Sequence, residues 1–236
     1  MAESSALTTA TNIIASPNEA FASIKTRPTI WLPLLLLIVG YTAISMTYMN
    51  SVDIGWFVDQ QLQASTADLT DEQREQATAR ATSISPMVLG AIGSVTGSIA
   101  IVLWLFLYSL YLTGVSFATN DGVKLKQWFA LMTWCALPIL LGIIAQIVNV
   151  EFRDARFLAQ DEINPLSFRN LLSIDTAGLN AFQRVLLGID PTTLWSLILS
   201  IFGYQFFTSR SVGTSATIVL APVVLIVAIG VLITML

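Results

Sequence analysis

Five long stretches of the sequence contain no charged residue. They are residues 28–52, 81–120, 127–150, 191–209 and 211–236. An α-helix rises about 1.5 Å per residue and the hydrocarbon core of a bilayer is roughly 30 Å thick, so about 20 apolar residues suffice for one crossing. The pattern therefore predicts an all-α, polytopic membrane helical bundle with five transmembrane helices. The expected spans are about 30–49, 86–117, 128–149, 191–208 and 214–236.

The composition agrees with a lipid environment. Hydrophobic residues make up 55% of the chain and charged residues 11%, and the mean hydropathy is +0.73. Soluble domains contain about 25% charged residues. The second uncharged stretch has no proline or turn cluster between residues 86 and 117, which predicts one long helix rather than a hairpin.

The segment before the first span, residues 1–28, carries its own helix signal. Ser16 followed by Glu19 matches the capping box, and Pro17 is suited to the first helical position. These residues predict a short helix over about 17–26.

This short helix is expected to lie at the membrane surface. Phe21 and Ile24 are three residues apart on one face, and Lys25 and Arg27 follow at the end where cations are favoured. The alternative is a solvated helix, because two apolar positions form only a small face.

A cleaved signal peptide is a second alternative for this region. Residues 43–45 form a passable cleavage sequence, but the polar segment before the apolar run is nearly thirty residues long. Signal peptides have short basic leaders and apolar cores of about 7–15 residues. We therefore expect an uncleaved anchor, with residues 29–236 as the membrane domain.

The basic residues predict the orientation. With the N-terminus inside, the inside segments carry a net charge of +2 and the outside loops −6. The inside segments are short and contain every lysine, so the positive-inside rule favours an inside N-terminus and an outside C-terminus. The expected topology anchors are Lys25, Arg27, Lys124, Lys126 and Arg210. Trp31 and Trp128 are expected at the inside headgroup level.

The two outside loops, about residues 50–85 and 149–190, are expected to be helical in part. Thr70 and Gln73 predict a capped helix over about 71–83. The twelve acids of these loops are scattered and match no calcium-loop pattern, so they indicate a solvated acidic face rather than a cation site.

The sequence offers no catalytic, cofactor or metal set. It contains no histidine and one cysteine, Cys135, which removes histidine-dependent hydrolases and metalloenzymes. No basic cluster indicates nucleic acid. Residues 93–97 resemble a nucleophile elbow only superficially, since Val95 stands at the nucleophile position. We therefore expect a protein that is not an enzyme and binds no cofactor.

Three glycines in the second span form a small-residue stripe. Gly90, Gly93 and Gly97 are spaced by three and four residues, a pattern that lets another helix approach closely. Packing within the bundle is the leading interpretation. Self-association into a homo-oligomer and a substrate path are the alternatives.

Two prolines lie inside predicted spans. Pro138 and Pro222 each lack the N–H that would bond the carbonyl four residues back, at Trp134 and Ile218 respectively. Both spans are therefore expected to be kinked. Because transporters use broken helices, a small transporter or channel using these spans is the alternative function.

Three segments in order resemble the Yip1-domain family. They are SPNEAFASIKTRPTIWLPLLLLIVG, KLKQWFALMTWCALPILLG and LLGIDPTTLWSLILSIFGYQFF, and they extend over most of the chain from Ser16 onward. The resemblance implies five spans with a cytoplasmic N-terminus. Eukaryotic members are associated with Rab GTPases and vesicle traffic, but the family's DLYGP motif is absent and the N-terminal region is short, which argues against Rab binding and suits a prokaryotic member.

These observations together predict a non-enzymatic membrane protein that acts through protein–protein or protein–lipid contacts in membrane organisation or trafficking-like roles. Its expected partners are membrane lipids, further copies of itself or other membrane proteins. Its expected location is the cytoplasmic (inner) membrane of a prokaryote.

Overall fold

The computed structural model describes residues 5–64, 70–175 and 178–235, and within these ranges the chain is helical with no strand. The helices are α1 (Ala6–Ala15), α2 (Pro17–Thr26), α3 (Trp31–Ser51), α4 (Ile54–Ala64), α5 (Asp71–Thr82), α6 (Pro86–Thr119), α7 (Leu125–Cys135), α8 (Ile139–Phe152), α9 (Phe168–Leu171), α10 (Ala181–Leu187), α11 (Pro191–Thr208) and α12 (Val212–Met235). Short 3₁₀ turns occupy Ala155–Phe157 and Gln160–Glu162.

Four segments of the described chain are long and apolar enough to cross a membrane. They are Trp31–Ser51, Pro86–Thr119, Leu125–Phe152 and Val212–Leu232. The expectation of an all-α protein with several membrane-spanning helices is confirmed.

The helix α11 lies at the fourth expected span but is not among these four segments. It has 18 residues and no charged side chain. Its buried face carries Thr192, Ser196 and Ser200, which lower the average hydropathy of the helix although they are shielded by protein.

The described residues form two compact units. The first contains residues 5–37, 99–140 and 191–235, and the second contains 38–64, 70–98, 141–175 and 178–190.

In the first unit, α2 and α7 both pack against α11, which also packs against α12. Aromatic rings fill the centre of this unit. Trp128, Trp134 and Tyr204 are completely buried, and Phe21 of α2 lies 6.0 Å from Phe206, centroid to centroid.

The helix α2 begins at Pro17, as the sequence predicts, but the capping box before it is not formed. The Ser16 side chain makes no capping bond, and Glu19 accepts a hydrogen bond from Asn12 Nδ2 at 3.0 Å instead. The reason is α1, which ends at Ala15 and leaves Ser16 in the tight junction between two helices.

The apolar face of α2 is covered by protein. Phe21 and Ile24 are 0% and 1% exposed against the core of the first unit. The face that the sequence assigns to the membrane surface is therefore a packing face onto α7 and α11.

Around Pro138 the regular helical hydrogen bonding is interrupted. The helix α7 ends at Cys135 and α8 begins at Ile139, with a turn between them. The carbonyl of Trp134 accepts from Leu137 N at 3.2 Å, which is a three-residue bond in place of the four-residue bond that proline cannot make.

The second unit joins α3 to a loop region rich in capped turns. Tyr48 donates its hydroxyl to the carbonyl of Leu158 at 2.8 Å, and Asp53 N donates to the carbonyl of Arg156 at 2.9 Å. The helix α5 starts after Thr70, whose side chain forms the predicted capping box with Gln73.

Candidate functional site

The first unit gathers basic residues at one end, which we call the basic end. It consists of the C-terminal end of α2 up to Arg27, residues 120–127 between α6 and the first turn of α7, and residues 207–211 between the last turn of α11 and α12. Hydrogen bonds between these three segments hold the end together, so residues far apart in sequence form one surface.

Lys25 links α2 to the last turn of α11. Its Nζ donates to the carbonyl of Phe207 at 2.8 Å and lies 5.7 Å from the centroid of the Phe207 ring. A cation is favoured at the negative end of a helix dipole and over an aromatic face. The carbonyl of Lys25 accepts from Gln127 Nε2 at 2.9 Å, which attaches α7 to the same point.

Arg210 and Asp121 form the second link. Arg210 Nη2 donates to Asp121 Oδ1 at 2.8 Å, and Thr119 Oγ1 donates to Asp121 Oδ2 at 2.5 Å. Burial of the carboxylate alone raises its pKa, but the hydrogen bonds from Arg210 and Thr119 outweigh that effect and hold the pKa of Asp121 below its ordinary value. The same hydrogen bond raises the pKa of Arg210.

The remaining topology anchors are exposed. Arg27, Lys124 and Lys126 project from the surface of the basic end. Beside them in sequence stand two exposed rings, Trp31 at 78% and Phe117 at 91% exposure. Cationic and aromatic side chains together are typical of the headgroup region of a membrane.

Trp128, which the sequence predicts at the inside headgroup level, is covered by protein rather than exposed. Its indole is completely buried and stacks on Tyr204, with centroids 5.1 Å apart and an angle of 13° between the planes. Its Nε1 donates to Ser116 Oγ at 3.0 Å. The ring of Trp128 in α7 therefore contacts both α6 and α11. Its burial is tolerated because its N–H has a hydrogen-bond partner.

The glycines of α6 lie against α3. A Cβ on Gly90 would lie 2.8 Å from Met46 Sδ, and one on Gly93 would lie 2.9 Å from Ser45 Oγ. At Gly97 a Cβ would overlap the ring of Tyr41. Ser45 Oγ donates to the carbonyl of Gly90 at 3.1 Å, which shows how closely the two helices approach.

Pro222 lies inside α12, and the carbonyl that it frees has a partner. Tyr111 of α6 donates its hydroxyl to the carbonyl of Ile218 at 3.0 Å. Tyr108, one turn earlier, donates to the carbonyl of Val219. Two tyrosines therefore hydrogen-bond the backbone of α12 around its proline.

Five buried serine and threonine hydroxyls of the first unit bond to their own helices. Each donates to the carbonyl four residues before it: Ser109 to Leu105, Thr133 to Phe129, Ser196 to Thr192, Ser200 to Ser196 and Ser215 to Ser211. These groups need no other partner.

Within the part of the chain that the structure describes, no three His, Cys, Asp or Glu side chains meet in a group that could hold a metal ion. Cys135 is a buried free thiol. The expectations of no catalytic set and no cofactor stay predictions.

The apolar helices and the all-helical fold define an integral membrane protein. The family model of the Yip1 domain matches residues 11–235, so the chain belongs to the Yip1-domain family. The match includes α2 as well as the spans, consistent with the packing of α2 into the first unit. Neither the curated proteins nor the solved structures contain a match.

Proposed function

We propose that the protein is a non-enzymatic, five-span membrane protein that acts through contacts with lipids, other membrane proteins or further copies of itself. It lies in the cytoplasmic membrane of a prokaryote with its basic end inside. Interaction with a Rab-type GTPase is not part of this proposal, because the sequence lacks the motif that eukaryotic members carry.

The fifth span of this proposal is α11. Eighteen helical residues extend about 27 Å, close to the thickness of the hydrocarbon core. Because α11 packs between α7 and α12, neighbouring helices rather than lipid surround its hydroxyl groups. This environment supports a transmembrane position for a helix of modest hydropathy.

The proposed mode of action rests on the hydrogen bonding of the polar groups buried in the first unit. Five buried serine and threonine hydroxyls are bonded to their own helices, and the carbonyl freed by Pro222 is bonded by Tyr111. The hydroxyl of Tyr204, which is buried without a hydrogen-bond partner, is an exception. Polar groups that line a transport path need free bonding capacity toward the solute. This interior favours action by surface contacts over movement of a solute, so we do not propose the transporter.

Photo-crosslinking in native membranes tests the mode of action. A photoreactive amino acid at Phe117 or Lys126 is expected to give adducts with a membrane protein or a second copy, identified by mass spectrometry. The same amino acid at Leu112, which is 0% exposed, is the matched control. Absence of protein adducts above the control, together with solute flux through reconstituted protein, would refute the proposal.

The orientation is tested with single cysteines in a Cys135→Ala background. Cysteines at Lys126 and at Gln76 are expected to react with a membrane-impermeant maleimide from opposite sides. Reversal of Lys25 and Arg27 to glutamate is expected to weaken the inside position of the N-terminus. An unchanged labelling pattern in that variant would show that other residues determine the orientation.

A further inference from the structure

A polar pocket opens in the second unit, between the last turns of α8 and the segment that follows it. Its volume is about 420 Å³. The polar residues of its lining are Asn149, Arg153, Glu162, Arg169, Asn170 and Ser173. Pockets of 300–1,000 Å³ are typical of small-molecule sites.

Arg169 is the more buried of the two arginines in the pocket lining. Its side chain is 14% exposed, and its Nη2 lies 3.3 Å from Glu162 Oε1. Its Nη1 lies 3.3 Å from Asp161 Oδ1 but outside hydrogen-bond geometry, and its Nε and Nη1 have no hydrogen-bond partner. Buried donors without a hydrogen-bond partner are uncommon in folded proteins, and such donors are available to an added acceptor.

Two asparagines hold the pocket wall in place. Asn149 Nδ2 donates to the carbonyls of Glu162 and Ile163 at 3.2 and 3.0 Å. Asn170 Nδ2 donates to the carbonyl of Asn164 at 2.7 Å. The backbone of residues 162–164, which carries the Glu162 partner of Arg169, is therefore held by side chains of α8 and α9, as a binding site requires.

Arg153 supplies a second guanidinium at the exposed rim of the pocket. Among the described residues, no carboxylate lies within ion-pair distance of it. Asp161 and Glu162 together carry two negative charges against the one positive charge of Arg169, and Arg153 brings these four residues to neutrality. Arg153 is the cation of the lining whose donors are not engaged by a carboxylate among the described residues. A planar guanidinium with free donors is suited to an oxyanion.

We propose that this pocket binds a phosphate group, with Arg153 as its main cationic contact and Arg169 as the donor at the wall. The phosphate belongs either to a lipid headgroup or to a soluble compound. The position of the pocket is compatible with a lipid headgroup, because Asn149 lies near the end of a segment long enough to cross a membrane. The phosphates of lipids lie just outside the hydrocarbon core, near the ends of such segments. This inference does not depend on the proposed mode of action.

The test uses the full chain, purified in a maltoside detergent and freed of lipid. One arm titrates inorganic phosphate and the other titrates dihexanoyl phosphatidylglycerol, with the thermal unfolding midpoint as the readout. Arg153→Gln is expected to weaken the apparent affinity about tenfold or more, because it removes a charged hydrogen-bond donor. Arg184→Gln, which removes an exposed arginine of α10 outside the pocket, is expected to stay within about twofold of the wild type.

The two variants also control for the general stabilising effect of phosphate, which acts on any folded protein by exclusion from its surface. Saturation in the phosphate arm assigns a soluble phosphate compound, and saturation in the lipid arm alone assigns a headgroup. The proposal is overturned if neither arm saturates, or if Arg153→Gln and Arg184→Gln weaken binding equally.

Discussion

The hydrogen bond from Tyr111 to α12 is expected to contribute more to the free energy of unfolding because α12 contains Pro222. Tyr111→Phe keeps the ring and removes only the hydroxyl that bonds the carbonyl of Ile218. Interhelical hydrogen bonds in membrane proteins contribute about 0.6 kcal/mol on average and up to about 1.7. We expect the upper half of that range, because Pro222 supplies no N–H to that carbonyl when the tyrosine is lost.

A double-mutant cycle isolates this reason. Pro222→Ala restores an N–H four residues after Ile218, so Tyr111→Phe is expected to reduce the free energy of unfolding by less than about 0.3 kcal/mol in that background. The difference between the two backgrounds is the coupling energy. It is measured by unfolding in mixed micelles with increasing dodecyl sulfate, followed by tryptophan fluorescence.

Tyr108→Phe is the matched control. Tyr108 bonds the carbonyl of Val219, which has the N–H of Val223 four residues on, and neither is removed by Pro222. Its effect is therefore expected to be the same with proline or alanine at position 222. Equal effects of Tyr111→Phe in the two backgrounds would refute the idea that this tyrosine compensates for the proline.

Two further predictions concern packing and charge in the first unit. Gly203→Ala places a Cβ 2.6 Å from Leu131 Cδ1 in a filled core, so it is expected to reduce the free energy of unfolding by about 1–2 kcal/mol. Gly114 has open space around it, so Gly114→Ala is expected to be neutral or stabilising. Similar unfolding curves for the two variants would contradict this prediction. The lowered pKa of Asp121 means that its pair with Arg210 stabilises fully above the ordinary aspartate pKa and is lost as the pH falls through the lowered value. The difference in thermal midpoint between wild type and Arg210→Gln should therefore be constant from pH 7 to about 5 and shrink below about 4, and a difference that persists to pH 2 would exclude this pair as its source.

The helical character of the chain could be predicted because lipid requires long uncharged segments, and such segments are visible in sequence. The start of α2 at Pro17 was predictable because proline is suited to the first helical position. Its capping was not, because the partner of Glu19 is Asn12 of α1, a helix that was not predicted from the sequence. Local signals identify helix ends but do not show which of two neighbouring helices uses a given side chain.

The positions of aromatic residues were harder to predict. Trp31 and Trp128 look equivalent in sequence, since each stands near basic residues at the start of a span. In the structure Trp31 is exposed and Trp128 is buried against Tyr204. Their difference depends on residues more than seventy positions away, which no local pattern contains.

The same limit applies to the candidate site. The sequence predicts that Pro222 frees the carbonyl of Ile218, but the hydroxyl that bonds it comes from a different span. Likewise Lys25 and Arg210 are recognisable as basic residues near spans, yet their acceptors at Phe207 and Asp121 appear only when the helices are packed.

The bond from Lys25 to the carbonyl of Phe207 also has a consequence for biosynthesis. The two residues are 182 positions apart. At synthesis rates of about 5–20 residues per second, α2 leaves the ribosome about 10–40 s before its partner exists. The helix α2 is therefore made well before its contact with α11 can form. During that interval the adjacent lipid surface can cover the apolar side of α2.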